Sequence, residues 1–268
     1  MSPESGTPTE IVAVGRELLT GRTVDTNSAW IAARLTDLGA AITRVVAVDD
    51  DPAAIAREIA GARERGTALV ITTGGLGPTL DDRTLAGVAA AFGRRLVEHG
   101  AALDFVARRY AELAAASAVA GAALTPPRRK MACLPEGAEP IDNAVGTAPG
   151  VFLSDGAQAL LALPGVPAEM RAVFDAALPR LRERLGPPAH VAEREVASGS
   201  GDESLITLAV ERVMQAVPGV HLKSLATVFA PDCDLRVRLT ARAATRAEAE
   251  ARVARAAERL AAELARSR

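Results

Sequence analysis

The chain has 268 residues, of which 49% are hydrophobic, 24% charged and 3% aromatic, with a formal net charge of −2. This is the composition of a globular protein with one large or two modest domains and a core built of Ala, Val, Leu and Ile. It offers no basic surplus for nucleic acid, and no apolar run approaches the ~20 residues that span a bilayer. Neither a nucleic acid nor a membrane is therefore expected as a partner.

The cysteines and the N-terminus bear on the compartment. Cys133 and Cys233 lie far apart in the sequence. This excludes a cysteine-rich zinc site and a disulfide framework, so two unpaired thiols are expected. The first residues lack the charged and apolar regions of a signal peptide, and a cytoplasmic location is expected.

Short apolar strands alternate with amphipathic helices along the first part of the chain. Strands are predicted at 11–14, 42–48 and 69–73, and a helix is predicted after each of them. The helices are expected from Asn27 to Gly39, from Asp51-Pro52 to Gly66, and around Leu85–Phe92. This alternation is typical of a parallel sheet with both faces covered.

The remaining segments predict more strands and a second domain. A helix is expected over 101–124, strands at 131–134, 150–153 and 159–163, and a helix over 168–185. The Gly186-Pro187-Pro188 stretch is the predicted domain boundary. Beyond it, strands at 191–196 and 235–239, a helix at 204–213 and a terminal helix from Arg246 are predicted. The expected organisation is a flexible tail (1–8), an α/β domain (9–186) and a small α+β domain (189–268).

Residues 69–84 carry the strongest functional signal. A buried strand is followed by the glycine turn Gly74-Gly75-Leu76-Gly77 and then by Asp81-Asp82, ahead of a predicted helix. Glycines let a backbone approach a ligand closely, and a helix N-terminus offers unpaired N–H groups to an anion. Carboxylates at that place repel a bare phosphate. A bridging divalent cation removes the conflict, so a metal-assisted site for a phosphorylated ligand is predicted.

Two other loops are expected at the same edge of the sheet. Asp49-Asp50-Asp51 follows the second strand and Gly15-Arg16-Glu17 follows the first. Ligands bind beyond the carboxyl ends of parallel strands, so these acidic loops should meet there. Helix capping is the alternative function for Asp51, before Pro52, and for Asp81 or Asp82.

Other familiar sites are missing or ambiguous. The glycine turn lacks the Gly-Lys-Ser/Thr ending of a P-loop and does not match the dinucleotide fingerprint. No nucleophile elbow is present, and His99, His190 and His221 lack the spacing of metal ligands. The basic run Arg128-Arg129-Lys130 fits either a solvated turn or a phosphate contact.

Four segments, in order along the chain, resemble motifs of the CinA proteins (competence/damage-inducible protein A). They are Gly15–Gly21 with Asp25–Ser28, then Thr73–Asp82, then Asn143 with Gly146–Gly150, and finally Leu163–Met170. One departure is Arg16, where CinA proteins usually carry threonine. Full-length members also carry a C-terminal nicotinamide mononucleotide deamidase domain, which this chain is expected to lack.

The resemblance implies a three-layer α/β/α molybdopterin-binding (MoCF-like) domain with a predominantly parallel sheet, plus a smaller α+β domain. It matches Asp82 and Asp50 to the two acidic residues of molybdopterin adenylyltransferases. Because three aspartates follow one another at 49–51, the match to Asp50 leaves open a shift of one residue. Asp50 and Asp82 are therefore the expected catalytic residues and metal ligands. The residues expected to bind the substrate, from the four segments and the basic run, are Glu17, Asn27, Thr73, Gly74, Gly75, Gly77, Asp81, Thr84, Lys130, Gly146, Pro164 and Gly165.

The activity implied by the resemblance is that of a pyrophosphatase dependent on a divalent metal, Mg²⁺ or Co²⁺, that acts on ADP-ribose or a related adenosine diphosphate compound. A molybdopterin adenylyltransferase is one alternative, and a non-catalytic module that binds molybdopterin or a nucleotide is another. A pure binder needs no metal-supporting pair such as Asp50 and Asp82. A homodimer or higher homo-oligomer is expected, and a separate deamidase polypeptide is a candidate partner.

Overall fold

The computed structural model describes residues 6–185, 190–225 and 234–266. These residues form two compact units, the larger made of residues 7–36 and 40–185 and the smaller of residues 6, 37–39, 190–225 and 234–266. The boundary predicted at Gly186-Pro187-Pro188 lies outside the described residues, as does Cys233. Cys133 is a free thiol. None of the described helices has the length and apolar character needed to cross a bilayer.

The larger unit is an α/β unit whose elements in chain order are β1 (Thr7–Val14), α1 (Arg16–Leu19), α2 (Thr26–Asp37), β2 (Ala40–Val48), α3 (Pro52–Glu64), β3 (Leu69–Thr73), α4 (Thr84–Ala91), β4 (Leu96–Glu98), α5 (Gly100–Ala115), α6 (Pro126–Lys130), β5 (Cys133–Pro135), β6 (Glu139–Ile141), β7 (Gly150–Ser154), β8 (Ala159–Leu163), α7 (Pro167–Ala176) and α8 (Leu178–Leu185). It is built on a six-stranded sheet of order β2-β1-β3-β8-β7-β6. The first four of these strands run parallel, and β7 and β6 are antiparallel to their neighbours. Strands β4 and β5 form a separate antiparallel pair.

Helices cover both faces of this sheet. Every residue of β3 and β8 is buried, as expected for central parallel strands. Val70 of β3 packs in one core cluster with Ile55 of α3. Its neighbour Ile71 points to the opposite face because side chains alternate along a strand. Trp30 of α2 meets Phe174 of α7 edge to face, with ring centroids 5.2 Å apart. The predominantly parallel α/β fold predicted from the sequence is confirmed.

The smaller unit is a three-stranded antiparallel sheet with two helices. Its elements are β9 (His190–Ala197), α9 (Glu203–Ala216), β10 (Val220–Leu225), β11 (Arg236–Ala243) and α10 (Arg246–Arg266). The strands lie in the order β10-β11-β9. Ile206 and Val213 of α9 and Leu260 of α10 join Val237 and Leu239 of the sheet in one core cluster.

Several boundaries differ from those predicted. Residues 7 and 8, assigned to the flexible tail, belong to β1 and pair with Ala40 and Ala41. Helix α5 ends at Ala115, nine residues before the predicted end; Ser117 has a φ of +58°, which is not helical, and the alanines that follow are exposed. Pro126 begins α6 and does not merely end a run.

The helix predicted over 168–185 is two helices. Pro179 stands in the first turn of α8, where its missing N–H removes no helical hydrogen bond; inside a continuous helix it would remove one. Strand β10 is absent from the predicted elements, although the buried Val220 and Leu222 alternate with the exposed His221 and Lys223 as in a half-buried strand.

The packing of α3 against α4 gives a stability test. A Cβ on Gly87 would lie 2.6 Å from Cβ and Cγ2 of Ile55 and 3.0 Å from the Pro52 carbonyl oxygen. We predict that Gly87→Ala lowers the free energy of unfolding by about 1–3 kcal/mol through overpacking, although alanine is the better helix former by ~1 kcal/mol. Chemical denaturation measures the change.

The matched control is Gly100→Ala at the start of α5, where an added Cβ meets no atom within 4 Å. Its free energy of unfolding should stay within ~1 kcal/mol of the parent value. Equal losses for the two variants would contradict the close approach of α3 and α4.

Candidate active site

A cavity of about 510 Å³ lies at the carboxyl edge of the parallel strands. The loops after β1, β2, β3 and β8 all contribute to its wall. Eleven of the fourteen residues predicted to form a site line it: Glu17, Asn27, Asp50, Thr73, Gly74, Gly75, Gly77, Asp81, Asp82, Pro164 and Gly165. The other three, Thr84, Lys130 and Gly146, lie behind the wall and support it.

The three consecutive aspartates after β2 have three different environments. Asp49 pairs with the Arg16 guanidinium at 2.6 Å. Asp51 caps α3 by accepting hydrogen bonds from the amides of Ala53 and Ala54. Asp50 alone of the three lines the cavity, and its Oδ2 accepts a hydrogen bond from the Arg16 amide at 3.0 Å.

The glycine turn after β3 is folded tightly against its neighbours. Gly74 has a φ of +106° beside the Val14 carbonyl, and Gly75 has a φ of +67° beside the Thr84 hydroxyl. Both positions therefore require glycine. Thr84 is fully buried, and its Oγ1 donates to the Gly74 carbonyl at 2.8 Å. Its role in the structure is to hold the turn.

Backbone amides of this turn are available to a ligand. The amides of Gly75, Leu76 and Gly77 donate to no acceptor in the described part of the chain, and all three residues line the cavity. Successive free amides in a turn that contains left-handed residues form a concave anion site. The turn can therefore bind the oxygens of a phosphate group.

Asn27 joins two loops at the floor of the cavity. Its Nδ2 donates to the Gly165 carbonyl at 2.7 Å and to the Thr73 hydroxyl at 3.1 Å. The Thr73 hydroxyl in turn donates to the Pro164 carbonyl at 3.0 Å. The ends of β3 and β8 are thus tied together through side chains that were predicted to bind substrate.

The segment from Gly77 to Asp82, named here the acidic loop, is stabilised by its own side chains. The single hydroxyl proton of Thr79 is shared between the carboxylates of Asp81 and Asp82, and the Thr79 amide donates to Asp82 Oδ2 at 2.9 Å. Helix α4 begins only at Thr84, after an N-cap residue with no side-chain hydrogen bond. The alternative that Asp81 or Asp82 caps this helix is therefore wrong.

Lys130 holds the acidic loop from outside the cavity. Its Nζ donates to the carbonyl of Gly77 at 3.2 Å and to the carbonyl of Thr79. Burial lowers the pKa of the ammonium, and the nearby Asp82 and Asp81 oppose that change. The position of Lys130 makes it a support of the loop, in contrast to the phosphate contact expected from the sequence.

Glu169, in the first turn of α7, lines the cavity and was not among the predicted residues. Its Oε2 accepts a hydrogen bond from Asn143 Nδ2 at 2.8 Å. Asn143 is fully buried, and its Oδ1 accepts from the amides of Val145 and Gly146. The available signal was its place within the segment Leu163–Met170, which carries the resemblance.

The electrostatics of the cavity are one-sided. No Lys or Arg is among the described residues that line it, whereas six carboxylates do: Glu17, Asp25, Asp50, Asp81, Asp82 and Glu169. Burial raises the pKa of Asp50, and the charges of Glu17, Asp49 and Asp81 raise it further, against the hydrogen bond from the Arg16 amide. No three His, Cys, Asp or Glu side chains of the described ranges form a ready cage for a metal ion.

The raised pKa of Asp50 predicts an unusual effect on stability. A raised carboxyl pKa means that the folded state disfavours the ionised form, so ionised Asp50 lowers stability at pH values above the ordinary aspartate range. We predict that Asp50→Asn raises the melting temperature at pH 7, without divalent cations, by on the order of 2 °C. Thermal melting should show this gain fade as the pH falls toward ~4, where the carboxyl is protonated.

Asp49→Asn is the matched control. The Arg16 guanidinium lowers the pKa of Asp49, so ionised Asp49 favours the folded state. This variant should melt at or below the temperature of the parent protein at pH 7. A lower melting temperature for Asp50→Asn than for Asp49→Asn would contradict the electrostatics described for the cavity.

Comparison with known proteins agrees with this architecture. A family model described as "Probable molybdopterin binding domain" matches residues 10–183. A protein of Aeropyrum pernix is 44% identical over 251 residues, which are 93% of this chain and 91% of that protein. A CinA-like protein of Frankia casuarinae is 38% identical over 91% of this chain and 56% of its own length.

A solved structure gives the same result. The crystal structure of the CinA protein from Thermoplasma acidophilum, described as having unknown function, is 38% identical. It superposes with a TM-score of 0.60 and covers 66% of this chain and 99% of that one. The chain is therefore a CinA-like member of the molybdopterin-binding domain family.

Proposed function

We propose that this protein hydrolyses the diphosphate bond of ADP-ribose or a related adenosine diphosphate compound with the help of a divalent cation, Mg²⁺ or Co²⁺. The observation that carries the proposal is the pairing of free amides with carboxylates in one cavity. Gly75, Leu76 and Gly77 offer amides to an anion, and six carboxylates surround them with no basic side chain among the described lining residues. A diphosphate can enter a cavity lined by carboxylates only together with a cation that offsets their charge.

The carboxylates fit a cation that is shared with the ligand. Mg²⁺ is commonly held by one or two protein carboxylates and by substrate phosphates, with water completing its octahedron. Asp50 and Asp82 are the proposed ligands. Asp81 is the member of the acidic loop whose charge raises the pKa of Asp50, which makes it the alternative to Asp82. When bound, the cation neutralises charge on the phosphoryl oxygens.

The protein's own groups would orient the reaction. The turn amides hold non-bridging oxygens of the diphosphate and stabilise charge that grows on them. Water adds to one phosphorus as the bond to the bridging oxygen breaks, which gives AMP and ribose 5-phosphate from ADP-ribose. The proton lost by this water passes to a carboxylate that holds no cation. Glu17 and Asp81 are the candidates, because both lie near enough to Asp50 to influence its pKa.

The activity is tested with purified protein and defined substrates. ADP-ribose is incubated with Mg²⁺ or Co²⁺, and AMP is measured by chromatography. FAD, and ATP with molybdopterin, are run in parallel. AMP from ADP-ribose supports the proposal, whereas adenylylation of molybdopterin would replace it with the transferase alternative. Tight binding without AMP from any substrate would identify a binding module.

The first variant tests the acidic loop. We predict that Asp82→Asn lowers kcat by roughly 100-fold or more, since loss of a cation ligand removes several kcal/mol of transition-state stabilisation. Steady-state kinetics at saturating Mg²⁺ measures it, with thermal melting to verify the fold. Asp104→Asn, an exposed position in α5, is the charge-matched control and should keep full activity.

Asp81→Asn is measured beside it, because it removes the same charge from the same loop. A complete loss in Asp81→Asn with full activity in Asp82→Asn would move the catalytic assignment to Asp81. Full activity in both variants would reject a role of the acidic loop in turnover.

Lys130 gives a second and different test. Because its Nζ holds two loop carbonyls, Lys130→Met should lower kcat by roughly 3–10-fold through a loosened acidic loop, with little change in KM. Lys130→Arg should recover part of kcat. Lys223→Met, exposed on β10, is the control. A rise in KM for every phosphorylated ligand, with kcat unchanged, would instead indicate a direct phosphate contact.

A further inference from the structure

Glu169 is a carboxylate held ready for a ligand. Its Oε2 is fixed by Asn143 Nδ2, and Oε1 accepts no hydrogen bond from the residues that the structure describes. No cation of those residues pairs with it either. Gly146 packs so closely on the carboxylate that a Cβ at that position would displace it. A fixed acceptor with unused lone pairs on a cavity wall is typical of a recognition group.

The support behind Glu169 is also rigid. Asn143 Nδ2 donates a second hydrogen bond to the Ala148 carbonyl at 2.8 Å. Arg109 holds the far side of the same loop, with Nε donating to the Gly146 carbonyl at 2.9 Å and Nη2 to the Val145 carbonyl at 3.0 Å. Because these hydrogen bonds hold the loop, Glu169 keeps its position without a ligand. The loss of its conformational entropy on ligand binding is therefore small.

The position of Glu169 along the edge of the sheet indicates which part of a ligand it meets. Asp50 follows β2 and Glu169 follows β8, with β1 and β3 between them. Neighbouring strands are ~4.8 Å apart, so the axes of β2 and β8 are separated by roughly 14 Å. The glycine turn follows β3, between these two ends. A diphosphate on the turn would thus extend one of its sugar ends toward Glu169.

We infer that Glu169 binds the vicinal 2′- and 3′-hydroxyls of a ribosyl group at one end of the ligand. The inference rests on the proposed function for the diphosphate that links this sugar to the glycine turn. A carboxylate accepts hydrogen bonds from two adjacent hydroxyls at once, and such charge-assisted bonds are the stronger ones. An acidic residue serves the same purpose toward ribose in dinucleotide-binding folds.

Equilibrium binding tests the inference without turnover. With Mg²⁺ present, calorimetry compares AMP with 2′-deoxy-AMP, and ribose 5-phosphate with 2-deoxyribose 5-phosphate. The unaltered protein should bind the ribo form of one pair roughly 10-fold or more tightly than its deoxy form. Glu169→Gln retains an oxygen for Asn143 and replaces the second acceptor with a donor. In this variant the preference should fall to about twofold or less.

Two further variants complete the experiment. Glu183→Gln, exposed on α8, is the control and should keep the preference of the unaltered protein. Glu169→Gln removes the charge and keeps the shape of the side chain, whereas Glu169→Ala removes both. We expect both variants to lose the preference. Retention of the full preference in Glu169→Gln overturns the inference, as does an unaltered protein without any preference. Release of AMP from ADP-ribose decides the proposed function separately.

Discussion

Mutual repulsion among carboxylates is the constraint on which the rest of this cavity depends. The effect of this repulsion is clear at Asp50, whose pKa is raised by burial and by the charges of Glu17, Asp49 and Asp81. A protein retains such an arrangement at a cost in stability, and this kind of cost is commonly found at functional sites. The carboxylates remain in place because other groups hold them there.

Those groups are mostly buried polar side chains that bind backbone. Thr84 holds the glycine turn from below, and Asn27 with Thr73 joins the ends of β3 and β8. Lys130 holds the carbonyls of the acidic loop, and Asn143 holds both Glu169 and the loop beside it. Residues that a motif would assign to the ligand thus fall into two groups, those that line the cavity and those that fix its wall. The second group acts by restricting motion, so that the wall is formed before a ligand arrives.

The sequence predicts the central elements well because their causes are local. The bounds of β3 and β8 follow from fully apolar or β-branched runs that end at glycine or proline, and Asp51 before Pro52 is a strong N-cap signal. The end of α5 could not be predicted, because helix propensity in an alanine-rich stretch does not reveal whether a packing surface exists.

The distinction between local causes and contacts of distant segments also decides how much of the site can be predicted. The carboxyl edge of the parallel strands is predictable from chain direction alone, and this brings eleven of the predicted residues to one cavity. The partners of Lys130 and Thr84 and the importance of Glu169 depend on contacts between distant segments. Asn143 and Glu169 are 26 residues apart, and Lys130 and Gly77 are 53 apart. No periodicity or short motif encodes such pairs.

The hydrogen bonds from Lys130 to the carbonyls of Gly77 and Thr79 have a consequence for how anions approach the cavity. The Lys130 ammonium is fixed to carbonyls of the wall and does not line the cavity, so a nucleotide that arrives without a cation meets carboxylates and no basic side chain among the described lining residues. Monovalent salt shortens the range of the repulsion between these carboxylates and the anion, with a Debye length of ~8 Å at physiological ionic strength. Most phosphate sites weaken as salt is added. Here, without divalent ions, encounter with an anionic ligand should become easier in a more saline solution, the reverse of the ordinary dependence.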